Sequence, residues 1–183
     1  MKLKLLTASL CAAALYTGVA VAAHGPTTVG GASMLPERNI IENAVNSGDH
    51  ETLVAAVQAA ELVDVLQGEG PFTVFAPIDS AFAALPDGTV DTLLQPENQE
   101  QLQTVLTYHV VPGNLTREVL LEQVMENDGT VAFKTVQGEY LSVMRNGNNL
   151  MVMDAQGNSA NITVVDVAQA NGVIHVIDSV LMP

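Results

Sequence analysis

Three hydrophobic periods follow one another along the chain. Met1-Lys2-Leu3-Lys4 opens it, an apolar run extends from Leu5 to about Ala14, and small residues close the run at Ala20-Val21-Ala22-Ala23. A basic start, a short apolar middle and a small-residue end form the pattern of a secretory signal peptide, with cleavage expected near Ala23. The run is shorter than the roughly 20 residues that span a bilayer. Residues 24–36 are rich in Gly, Pro and Thr without apolar period and predict a flexible leader.

Helical spacing begins next. Ile40, Ile41, Ala44 and Val45 form one stripe over 37–45, and a second helix is expected from an Asp49 cap through Leu53, Val54, Val57, Ala60 and Leu66. Gly68-Glu69-Gly70-Pro71 stops it. Phe72 to Ala76 alternates as a strand ending at Pro77, with Phe72, Val74 and Ala76 on one side and Thr73 and Phe75 on the other. Asp79 or Ser80 is placed to cap a brief helical turn carrying Phe82 and Leu85, and Pro86-Asp87-Gly88 turns the chain. Helices are expected over 90–94, from Pro96 through Leu102, Val105 and Leu106, and from a Thr116 cap over 117–124. Residues 108–111 read as extended chain.

From Thr130 the period becomes two. Strands are expected over 131–136, 140–145, 150–153, 162–165 and 173–177, separated by breaks that include Asn146-Gly147 and Asn171-Gly172. Helices dominate the first half and strands the second, which makes an α+β domain rather than an alternating Rossmann arrangement. No repeat of 20–50 residues is visible, so one domain over 37–183 is expected.

Three blocks, in order, resemble the fasciclin domain family. They are Thr73-Val74-Phe75-Ala76-Pro77-Ile78-Asp79-Ser80-Ala81-Phe82, then Leu106-Thr107-Tyr108-His109-Val110-Val111-Pro112-Gly113, then residues 171–183, beginning Asn171-Gly172-Val173-Ile174-His175 and continuing through Asp178. The resemblance implies a twisted, wedge-like β-sandwich with several helices packed against it, and a role in extracellular adhesion or protein interaction. In animal matrix members the tyrosine-histidine segment is associated with integrin binding, which makes Tyr108 and His109 the family-based binding candidates, while their apolar flanks Leu106, Val110 and Val111 favour a half-buried pair with a structural role. Thr73, Phe75, Ala76, Pro77, Asp79, Phe82, Asn171, Gly172, His175 and Asp178 read mainly as architecture.

Charge narrows the partners. Asp and Glu number 20 against 6 Lys and Arg, a net charge of −14, which becomes −16 once Lys2 and Lys4 leave with the signal. Such a surface repels phosphate backbones and anionic lipid heads, so nucleic acid and polybasic membrane binding are excluded as readings. The only cysteine, Cys11, lies in the signal, which leaves no disulfide or thiol chemistry for the mature chain. The short signal, the lack of cysteines beyond it and the single domain point to a bacterial protein.

Catalytic motifs are missing. There is no Gly-x-Ser-x-Gly, no phosphate-cradling Gly-Lys-Ser/Thr loop and no His-Glu-x-x-His, so no enzyme, cofactor or resident metal is expected. His24, His50, His109 and His175 are dispersed without zinc spacing. Met151 and Met153 share a strand face and Met144 lies on a neighbouring strand, an arrangement that offers soft ligands to copper(I) or serves as core filler. His24 near a new amino terminus is a second copper candidate. Asn114-Leu115-Thr116 and Asn161-Ile162-Thr163 match the N-glycosylation pattern. The expected function is an extracellular or periplasmic adhesion module that meets an unknown protein, cell-surface or matrix component. The alternatives are a carrier of a small apolar ligand and a copper-binding periplasmic protein.

Overall fold

The computed structural model describes residues 27–86 and 88–183. The expected signal peptide, its cleavage near Ala23, Cys11, His24 and Asp87 lie outside the described residues. Strands β1 (Thr27–Val29) and β2 (Ala32–Met34) pair as an antiparallel hairpin. This corrects the expectation of a flexible leader for residues 27–34. Val29 and Met34 are buried in the main core, and the Gly48 amide donates to the Gly30 carbonyl at 3.1 Å, so apolar burial holds a segment whose composition suggests none.

Helix α1 (Ile40–Ala44) starts with a capping box in which the Asn39 side chain accepts the Glu42 amide and Glu42 accepts the Asn39 amide, both at 2.9 Å. The long helix expected after Asp49 is two helices, α2 (Glu51–Ala59) and α3 (Val63–Gln67). Glu61, at φ +56, turns the chain between them, and the Gln103 side chain donates to the free Ala60 carbonyl at 2.7 Å. A partner 43 residues away therefore supports a break that local spacing does not show.

Strand β3 (Phe72–Pro77) leads to α4 (Asp79–Ala83) and α5 (Thr89–Leu93). A 3-10 turn over Pro96–Asn98 then opens α6 (Gln99–Tyr108). Tyr108 closes that helix rather than beginning the extended chain, which is β4 (Val110–Pro112). Helix α7 (Arg117–Glu126) follows with the expected Thr116 cap on the Val119 amide. The remaining strands are β5 (Thr130–Lys134), β6 (Tyr140–Asn146), β7 (Asn149–Met153), β8 (Ser159–Gln169) and β9 (Gly172–Ile177).

Seven strands are hydrogen-bonded in the order β4-β3-β9-β8-β7-β6-β5. β8 serves both halves: residues 159–161 pair with β7, and residues 162–169 pair with β9 across two register shifts. Those irregularities bend the long strand, so the two halves of the sheet face each other as a wedge. One core lies between them, with Phe75, Ile177, Leu141, Val143, Leu150 and Val152 meeting from opposite sides. A second core lies on the other face of β3 and β9, where Val74, Ala76, Ile174 and Val176 meet α1, α2, α3 and α6. This is the expected α+β fold, with helices packed on a folded sheet.

Candidate functional site

The three sequence blocks become neighbours in the folded chain. β3 from the first block lies between β4 from the second, antiparallel, and β9 from the third, parallel. Both faces of β3 and β9 are covered, so their alternation separates two cores rather than a core from solvent. Thr73, fully buried, donates its hydroxyl to the Gly113 carbonyl at 2.7 Å and accepts the Leu115 amide at 2.8 Å. Phe75 donates its amide to the His109 carbonyl at 2.9 Å and stacks on His175 with ring centroids 5.7 Å apart. Ala76 and Pro77 pair with Val176 and Ile177, and Phe82 packs half-buried beside Ala81, Val105 and Val180.

Tyr108 is fully buried in the core between the sheet halves. Its hydroxyl donates to the Tyr140 carbonyl at 2.9 Å and accepts the Ala155 amide at 3.0 Å, fastening α6 to the start of β6 and to the turn after β7. Burial raises its pKa above the ordinary value. His109 is 3 % exposed. Its Nδ1 lies 2.8 Å from the Val105 carbonyl and its Nε2 accepts the Leu181 amide at 3.0 Å, which fixes a neutral ring with the proton on Nδ1. Burial pushes its pKa down to about 4. A partner could touch either side chain only after this segment opened.

His175 is likewise completed from within. Its Nε2 lies 2.7 Å from the Leu115 carbonyl and its Nδ1 accepts the Asp166 amide at 3.3 Å, and burial lowers its pKa. Asp166, at φ +55, sits at the irregularity in β8, where its amide leaves the ladder, and its carboxylate accepts the Arg117 amide at 2.6 Å. His175 thus completes a bulge and Asp166 starts a helix. Sequence spacing carries no signal for this pairing, because the bulge exists only once β8 and β9 are registered.

Two expected caps do not form. Asp79 does not cap α4, whose start has no side-chain cap, and Asp49 does not cap α2. The Asp79 carboxylate instead accepts the Thr52 and Glu51 amides at 2.8 and 3.2 Å. Asp178 binds the Asn161 amide and side chain, both at 2.8 Å, so that glycosylation candidate is tied to the closing block. Asn171 accepts the Ile40 amide at 3.1 Å and donates to the Leu66 and Gly68 carbonyls at 2.7 and 3.1 Å, joining α1 to the end of α3. Gly172 lies against the Phe72 backbone, where any Cβ would clash.

The family model for the fasciclin domain matches residues 48–183. This chain belongs to the fasciclin domain family. Protein sll1483 of Synechocystis is 47% identical over 144 residues, spanning 79% of this chain and 73% of the relative. Immunogenic protein MPB70 of Mycobacterium bovis is 37% identical over 164 residues, spanning 87% and 75%. Cell surface glycolipoprotein MPB83 of the same species is 34% identical over 167 residues, spanning 88% and 68%. Among solved structures, a FAS1 domain pair from the insect cell adhesion molecule Fasciclin I matches with a TM-score of 0.71 at 19% identity. The match covers 80% of this chain and about half of that pair, 51%.

In this fasciclin domain the central residues of the family blocks are buried, and open surface lies at the blocks' margins and beyond them. An open depression of about 590 Å³ borders Asn171 and Gly172, lined also by Gln67, Glu69, Pro71 and Asn114. Between α1, α2 and the sheet, an apolar cavity lined by Ile40, Val57, Val74, Leu106 and Ile174 holds about 30 Å³. That is room for about one water, against the roughly 300–1,000 Å³ of ligand pockets. Among the described residues no group of three His, Cys, Asp or Glu is arranged to hold a metal ion, and no helix is long and apolar enough to cross a membrane.

Proposed function

We propose that the chain is a non-enzymatic attachment module of the cell exterior or periplasm, which holds a protein, cell-surface or matrix partner through its exposed loops and outer sheet face. The observation that carries this reading is the burial of the central residues of all three family blocks, Tyr108 and His109 included. Contact with a partner then falls to the exposed surface, as in other rigid scaffolds that display loops. Family membership adds support: one relative is a cell surface glycolipoprotein, and the matching fold comes from an insect adhesion molecule. A net charge of −14 favours a basic or cation-bridged partner, with attachment that weakens as salt screens it. A carrier of apolar ligands would need α1 and α2 to move off the sheet, because the cavity beneath them is water-sized.

The test is attachment of cells to a surface coated with the folded chain, with heat-unfolded protein as control, over a range of salt. Attachment to the folded form alone, declining with salt, supports the proposal. Equal attachment to both forms defeats it, and bound mass in a native mass spectrum would favour the carrier.

A further inference from the structure

We propose that the outer face of the β6–β7 hairpin is a thioether site for a soft monovalent cation, copper(I), built from Met144, Met151 and Met153. Register sets the three together. Met144 stands directly opposite Met151, and Met153 lies two residues further along the same face of β7. Opposed residues bring their Cβ atoms within about 4.5–5.5 Å and diagonal ones within about 7–8 Å, separations that unbranched methionine side chains can close around one ion.

These methionines are not core filler. The alternate residues Leu141, Val143, Leu150 and Val152 fill the core between the sheet halves, whereas the three methionines stand half-exposed on the opposite face. Their neighbours across the strands are Thr130 beside Met144, Asn161 beside Met151, and Ser142 and Ser159 beside Met153. None of these bordering side chains carries a charge, and the carboxylate hydrogen-bonded to one of them, Asp178 on Asn161, is held by the Asn161 amide and side chain. Hard divalent ions prefer carboxylate and carbonyl oxygen, while thioether sulfur selects copper(I). No cysteine follows Cys11, so no thiolate in the fold competes with the thioethers for such an ion.

Silver(I), the air-stable surrogate, is titrated into the full chain carrying Cys11→Ala and methyl-labelled methionine, followed by NMR and then repeated with copper(I) under reducing conditions. The methyl resonances of Met144, Met151 and Met153 are expected to move together and saturate at a single ion per chain, while buried Met34 and exposed Met125 stay in place. Met151→Leu, which keeps an apolar side chain at a half-exposed position, is expected to abolish the movement of the other two without lowering the melting temperature. Met144→Leu provides an independent repeat. Unmoved resonances at all three positions overturn the proposal, as does an equal response from Met125, which is 64 % exposed and would report capture by any accessible thioether.

Discussion

The carboxylate of Asp79 accepts the backbone amide of Thr52 at 2.8 Å, so a residue of the first family block caps a helix that begins 28 residues before it. α2 has no cap of its own, since His50 occupies the position with no side-chain bond to the helix. Asp79→Ala is expected to cost about 1–2 kcal/mol, the usual loss at an N-cap. Asp79→Asn, which keeps an acceptor oxygen, should recover much of that. Denaturant midpoints of the two variants check the ranking, and equal stability of Asp79→Ala and the parent would refute the cap.

The Tyr108 hydroxyl joins two backbone groups that have no other side-chain partner among the hydrogen bonds described. Tyr108→Phe keeps the ring and strands both groups, at an expected loss of about 1–3 kcal/mol. Tyr108→Ala also empties a fully buried aromatic site and should cost about 3–5 kcal/mol, enough to unfold a marginal domain. Loss of attachment in Tyr108→Ala with an unchanged melting temperature would show that this side chain meets the partner directly.

Acid should destabilise the domain through its buried histidines. The His109 pKa is about 4 when folded, against 6.5 for a free imidazole, so between those values the unfolded chain binds a proton that the folded chain refuses. The associated stability is complete above about pH 6.5 and falls as the pH drops toward 4, by about 3 kcal/mol in all. His50 and His175 are shifted the same way by burial. Denaturant unfolding at about pH 7.5 and pH 5 reads the effect directly. Identical stabilities at the two pH values would contradict it.

Gly172 is expected to tolerate no side chain. A Cβ there would meet the carbonyl of Phe72, the first residue pair of the parallel β3–β9 ladder. Gly172→Ala must therefore push two central strands apart, and it should reduce soluble yield and melting temperature more than Gly138→Ala, where a Cβ meets open space. Both positions have positive φ, so backbone strain is common to the two and the difference isolates the clash.

Much of this fold is legible in the chain itself. The change of period at Thr130 places the late strands, and the Thr116 cap and the start of α7 follow from local chemistry, because caps and alternation act over a few residues. The two-residue turn between β6 and β7 falls on Gly147 and Asn148, one residue later than Asn146-Gly147 suggests, with Gly147 at φ +62 and Asn146 paired with Asn149. Three ordered blocks identify the family and, through it, the wedge of sheet with packed helices. What the chain does not state locally is which distant group answers which local need. The break at Glu61 leans on Gln103, the bulge at Asp166 on His175, and the start of α2 on Asp79. The leader over 27–34 is ordered only because Val29 and Met34 reach a core built from other segments. Sequence determined most of the elements and the family, since propensity and periodicity are properties of neighbouring residues. Tertiary structure alone decided that Tyr108 and His109 are buried while Met144, Met151 and Met153 face outward, since burial is set by what packs against a strand, and that partner is supplied from elsewhere in the chain.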